Sequence, residues 1–200
     1  MVRVSGPEAV RVGGTVFRCH PGIGERVRHV EFGHILDIDG VPVDTGLAWF
    51  LKGPASYTGE DTVETTPHGS DLILNGLLQA AVASGATVAK PGEFTRRAFL
   101  NGRIDLIQAE AVVDLIQAGG RLDLESSYGR ACGRLSRIVS EMMAGTVAAL
   151  AAIEAGLDFS EEGDVDPSAN ATVSLNLREL ADRARRLSDT FEGSRRRHQG

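Results

Sequence analysis

Acidic and guanidinium side chains crowd into two stretches of this chain more densely than an ordinary connector requires. "GEDTVETTPHG" carries Glu60, Asp61 and Glu64, and "PGEFTRRAFLNGRIDLIQAEAV" carries Arg96, Arg97 and Arg103 with Phe94 and Phe99. The first stretch lies in or beside a loop leaving an apolar strand, and the second follows the next expected strand. Successive strand ends often lie close in space, which would bring the carboxylates to the guanidiniums. Pairing of this kind either knits a structural ion-pair network or builds a polar ligand site, and composition leaves both open.

Other chemistries find no support in the residues. There is no G-x-x-x-x-G-K-[ST], so these residues cannot hydrolyse a nucleotide by a P-loop mechanism. G-x-S-x-G, H-E-x-x-H and G-x-G-x-x-G are also missing. His20, His29, His34, His68 and His198 show no metal spacing and read as surface or packing histidines. "DFSEEGDVD" lacks the glycine and the closing glutamate of an EF-hand loop and reads as an acidic turn between helices. "RARRL" and "SRRRHQG" read as cations near helix C-termini. No metal site is expected.

The elements that must position the charged stretches change character near residue 104, with strand and turn signals before it and helical periods after it. Ile35, Leu36 and Ile38 lead into Asp39-Gly40, a preferred two-residue hairpin turn, and Val41 and Val43 return. Pro42 lacks an N–H, so the return strand is expected at a sheet edge. "LAWFL", residues 47–51, reads as a continuous apolar strand covered on both faces. A helix follows, capped by Ser70 or Asp71, burying Ile73, Leu77, Leu78, Ala81 and Val82, and stopped by Gly85. "ATVAK", residues 86–90, reads as a short strand. Phe94 and Phe99 are expected to pack the core rather than stack on a ligand.

After Gly102, Asp105 and Gln108 resemble a capping box, and Leu106, Ala109, Val113 and Ile116 recur at helical spacing until Gly119-Gly120. Apolar residues from Tyr128 to Leu157 predict one long helix of about 30 residues, about 45 Å at 1.5 Å per residue. Val173, Leu177, Leu180, Ala184, Leu187 and Phe191 mark another. A long helix with an apolar seam needs partners, in an antiparallel bundle or across a dimer. The fold class is therefore α+β over residues 1–103, followed by a partial helical domain over 104–200.

Composition bounds the rest. Two hundred residues, 42% hydrophobic and 24% charged, suit one or two folded domains. A net charge of −6 gives no global footprint for nucleic acid, although a local patch or a second protein would suffice for RNA. Cys19 and Cys132, far apart, fit free thiols in a reducing compartment. No apolar h-region opens the chain, and no apolar run approaches the roughly 18 residues of a membrane span. The sequence reads as cytoplasmic, with no membrane partner.

"VRVSG", "SYTGEDTVE", "HGS", "PGEFTRRAFLNGRIDL" and "IQAEAVVDLI" together resemble the MnmE (TrmE) family of tRNA uridine modification GTPases. The likeness runs from Val2 to the C-terminus and is strongest from Ser56 to Ile116. It implies a fold akin to the tetrahydrofolate-binding aminomethyltransferase domains, followed by part of a helical domain. It also implies a homodimer formed through the N-terminal domain and a one-carbon tetrahydrofolate (5-formyl- or 5,10-methylene-) bound there. The implied partners are tRNA and an FAD-dependent protein of the MnmG/GidA family, with an aminomethyl-type group built at C5 of the wobble uridine.

The family's folate contacts fall on Arg3, Glu64 and Arg103. A pterin edge presents an amidine-like pair of N–H donors that Glu64 can accept. Arg3 or Arg103 would serve the folate carboxylates or ring carbonyl. The cofactor would carry the one-carbon unit while the protein orients it.

Two departures stand out: Arg103 replaces a usual lysine, and "TTPHGS" replaces a more usual stretch before a double glycine. Family chains also begin earlier, with a Gly-rich strand-forming segment, and continue past the position of Gly200 into a G domain. GTP, Mg and K would enter only with that domain. The alternatives are a stand-alone folate-dependent aminomethyltransferase and a non-catalytic dimerisation remnant.

Overall fold

A computed structural model describes residues 1–158 and 167–198 of the chain. These residues group into two compact units, Met1–Ala131 and a second beginning at Cys132. By packing, the helices just after residue 104 lie with the first unit.

The first unit is built on a five-stranded antiparallel sheet. Its strands are β1 (Val2–Ser5), β2 (Phe17–Arg18), β3 (Val30–Leu36), β4 (Pro42–Leu51) and β5 (Thr62–Thr66). The spatial order is β1-β5-β4-β3-β2. Helices α1 (Ala9–Val16), α2 (Asp71–Ala83), α3 (Glu93–Leu100), α4 (Leu106–Gln117) and α5 (Arg121–Ala131) complete the unit. This is the mixed α+β class that the sequence predicts.

One face of the sheet carries the core. Ile35, Ala48, Phe50 and Val63 meet Ala9, Val12 and Val16 of α1, and Leu77, Ala80 and Ala81 of α2. Burying a side chain such as Ile35 fully contributes about 1.5–3 kcal/mol before entropy is counted. Gly13 lets α1 approach closely, since a Cβ there would stand 2.9 Å from both methyl groups of Val63. The other face is open: Val30, Phe32 and Leu47 are 53%, 69% and 43% exposed.

Several expectations change. The β3–β4 loop is not a two-residue turn. Gly40 N bonds Asp37 O and Asp37 N bonds Val41 O, so three residues project, with Gly40 at φ +75° in the left-handed position such loops require. The Asp37 carboxylate accepts from the N–H groups of Asp39 and Val41, which fixes the loop. β4 is an interior strand; Pro42 is accommodated as its first residue, opposite Leu36. "LAWFL" is covered on one face only, because Ala48 and Phe50 are buried while Leu47 is not. In α2 the buried residues are Leu77, Ala80 and Ala81, with Leu78 and Val82 exposed. "ATVAK" forms no strand. Phe94 is half-buried and Phe99 is 40% exposed, so neither is a core residue.

The helical stretch holds closer to prediction at its start. Asp105 and Gln108 form the reciprocal capping box, Gln108 N to Asp105 Oδ1 at 2.9 Å and Asp105 N to Gln108 Oε1 at 3.0 Å. The single long helix is instead two, α5 and α6 (Arg134–Asp158), interrupted beside Gly133 at φ +75°.

In the second unit α6 pairs with α7 (Pro167–His198). Gly145 packs against Leu180, and Arg183 bonds Glu141 at 2.9 Å, which sets the two helices antiparallel. Contrary to expectation, Arg134–Leu157 is long and apolar enough to cross a membrane, with a mean hydropathy of 1.5 over its best window. Length and composition alone do not make it a membrane span, and α7 packs along one side of it. The expected acidic turn and the side chains of the terminal basic run lie outside the described residues.

Candidate functional site

Strand register assembles the site. Arg3 on β1 stands opposite Glu64 on β5, and Glu64 stands opposite Trp49 on β4. Directly paired residues share a face, so the three side chains form a row across the open side of the sheet. Arg3 Nε donates to Glu64 Oε1 at 2.6 Å, and Trp49 Nε1 donates to Glu64 Oε2 at 2.8 Å. The Glu64 side chain is only 8% exposed, against 22% for Arg3. A carboxylate has about four lone-pair sites, so each oxygen keeps room for one more donor.

Aromatic rings brace this row. The Arg3 guanidinium carbon lies 5.3 Å from the ring centre of Tyr57 and 5.2 Å from that of Phe94, within cation–π range. Tyr57 comes from the loop after β4, and its hydroxyl meets Thr95 Oγ1 at 3.0 Å. Phe94 sits near the start of α3. Three residues on, and hence on the same helix face, is Arg97.

Arg97 ties a second network together. Its Nη1 donates to Glu60 Oε2 at 3.1 Å and to Ser5 O at 3.3 Å, while Nη2 donates to Glu93 Oε1 at 2.5 Å. Ser5 Oγ adds bonds to Glu60 Oε2 at 2.8 Å and Thr58 Oγ1 at 2.7 Å. Glu93, and then Glu60, hold the Arg97 guanidinium above its ordinary range, outweighing partial burial. The Lys90 N–H, and then Arg97, hold the Glu93 carboxyl below its ordinary range. This network joins the end of β1, the 58–60 loop and α3.

Of the sequence-predicted residues, Arg3 and Glu64 are in direct contact. Arg103 is seated against the 56–59 loop: its Nε donates to Ser56 O at 3.2 Å, beside Asn101 Nδ2 on Thr58 O at 2.7 Å. Gly59, at φ +81°, lets both approach, since a Cβ there would lie 3.1 Å from Asn101 Cβ and Arg103 Cγ. Carboxylates and guanidiniums from the two stretches do meet, through Arg97 and Glu60; Arg96 is exposed. Trp49, Tyr57 and Phe94 escaped sequence reasoning as site residues. Trp49 was hidden in an apolar run, although its place one pair across from Glu64 follows once the strands are aligned.

The two halves of the chain match family models described as "GTP-binding protein TrmE N-terminus", over residues 1–103, and "MnmE helical domain", over residues 106–200. The chain belongs to the MnmE family. Relatives named tRNA modification GTPase MnmE include that of Geobacter sulfurreducens, 40% identical over 98% of this chain and 43% of the relative. That of Akkermansia muciniphila is 39% identical over 100% of this chain and 44% of the relative. That of Symbiobacterium thermophilum is 44% identical over 80% of this chain and 36% of the relative. The chain thus spans less than half the length of these MnmE relatives, covering their N-terminal and helical regions.

Proposed function

We propose that this chain binds a one-carbon tetrahydrofolate on the open face of its sheet and serves the tRNA wobble-uridine modification of the MnmE family. The observation that carries the reading is Glu64: a buried carboxylate, fixed by two donors, with acceptor capacity left on each oxygen. A 2-amino-4-oxopyrimidine edge offers two adjacent N–H donors, which is the complement such a carboxylate needs. Arg3 supplies a cation for a ring carbonyl or carboxylate, and Tyr57 and Phe94 supply flat apolar surface beside it. The donor set therefore fits the pterin part of the cofactor.

Glu64 and Arg3 would hold the folate, and Arg103 would act from the neighbouring loop. The folate, when bound, supplies the one-carbon unit. The chain's residues bind and orient it: Arg3 and Trp49 hold the Glu64 carboxylate, and the aromatic pair braces Arg3. Family resemblance extends the proposal to a homodimer through the N-terminal domain, an FAD-dependent MnmG/GidA-type partner and tRNA. GTP hydrolysis, with Mg and K, would belong to a G domain rather than to these residues.

Calorimetric titration of the full chain with 5-formyltetrahydrofolate tests the core of this reading. Saturable binding is expected, and Glu64→Ala should weaken it by at least about 1.5 kcal/mol, roughly tenfold, through loss of a charge-assisted pair. Absence of binding by correctly folded protein would overturn it, and an unchanged dissociation constant would remove Glu64 from the site.

A further inference from the structure

We infer that Trp49 is the positioning residue of this site: its indole N–H fixes the plane of the Glu64 carboxylate so that it selects ligands offering two adjacent N–H donors. The inference rests on the folate reading above and adds to it a role for Trp49 in ligand selection.

Glu64 has rotatable bonds that Arg3 alone does not lock. Arg3 holds one oxygen, through Nε at 2.6 Å, from the short edge strand β1. The other oxygen is held by Trp49 Nε1 at 2.8 Å, from β4 in the sheet interior. Two donors arriving from opposite neighbouring strands remove the carboxylate's rotation about its last bond. An indole is a donor only and cannot turn over to offer an acceptor. Trp49 therefore always presents hydrogen toward Glu64, and the remaining lone pairs stay directed at the ligand. The residue is half-buried, and its flanking neighbours Ala48 and Phe50 are buried in the core, so the backbone that aims it is rigid.

The consequence is selectivity. A fixed carboxylate rejects a ring edge that places a carbonyl where the 2-amino group should be, because two acceptors would then face each other out of water. A carboxylate free to rotate can evade that clash. Loss of the indole N–H should therefore lower affinity for the amino-bearing ring more than for its 2-oxo analogue.

Trp49 is the one tryptophan of the chain, so a proton–nitrogen correlation spectrum of the full protein carries a single indole N–H signal. That signal should move saturably with 5-formyltetrahydrofolate, with the midpoint found by calorimetry. In Trp49→Phe, affinity should fall about tenfold, the scale of one hydrogen bond to a charged group. Its preference for the amino-bearing ring over the 2-oxo analogue should shrink at the same time. Affinity and preference both within twofold of the parent would overturn the inference while leaving the folate reading standing. Should Trp49→Phe fail to fold, the indole signal of the parent protein decides: a signal unmoved at saturating ligand overturns the inference. If the parent binds no folate at all, the folate reading fails and this inference fails with it.

Discussion

In the sheet unit Ile35, Ala48, Ala98 and Ala111 are fully buried, whereas along α6 Met143, Val147, Leu150 and Leu157 are each more than half exposed. Both regions are rich in apolar residues, yet only the first closes them into a core. A twisted sheet with two helices on one face buries residues from several elements at once, while two paired helices bury only a seam. The site follows the same division. Glu64, Trp49 and Arg3 are held by strands whose reverse faces are packed, so their positions come from the most rigid part of the described structure. The α6–α7 pair provides length and an apolar surface, and its Arg183–Glu141 ion pair joins side chains that are about half exposed.

Mutation of matched residues can break this comparison. Ile35→Ala should cost about 2–5 kcal/mol in the sheet unit, whereas Leu150→Ala in α6 should stay within about 0.5 kcal/mol. Urea denaturation, with hydrogen exchange assigning the loss to each unit, provides the measurement. Equal losses would show that α6 is packed as tightly as the sheet.

The glycines sharpen it further. Gly13→Ala drives a methyl group into Val63 and should destabilise by about 1–3 kcal/mol. In α6, Gly145→Ala meets only the terminal methyl groups and Cγ of Leu180, and a gain in helix propensity of up to about 1 kcal/mol offsets the crowding. Its melting temperature should therefore change little or rise. A large fall would mean that Leu180 cannot give way.

Asp105→Ala removes the capping box of α4, for an expected loss of about 1 kcal/mol readable in the same denaturation curves. The smallest effect is in the acid limb. The Glu93 carboxyl is lowered in the folded state, so its contribution is present above the unfolded value and is lost as pH falls through the folded one. Melting temperatures of the parent and Glu93→Gln should differ near neutral pH and converge on acidification. Parallel curves down to pH 3 would remove Glu93 from the pH dependence.

Legibility in the sequence followed locality. The α4 cap, the stop of α2 at Gly85 and the β3–β4 hairpin depend on residues within a few positions, and each was readable. Helix α1 was not, because Gly13-Gly14 in its middle argues against a helix, and the need for a close approach to Val63 outweighs that propensity. "ATVAK" has strand composition but finds no sheet partner, so its pattern is not realised. The break at Cys132-Gly133 was masked by apolar spacing that continues across it. For the site, the acids and arginines announced themselves by density. Trp49 and Phe94 read as core because apolar residues give no sign of which face of a strand or helix they occupy until the pairing is known.

The register of β1 has a meaning beyond geometry. Val2 and Val4 are packed against the core while Arg3 between them faces out, and a slip of one residue would exchange these faces. Two small valines thus act as a proofreading device for the site: any misaligned β1 would force a guanidinium into oil and leave two apolar side chains in water. The candidate site is in this sense error-checked by residues on the opposite face of the same strand.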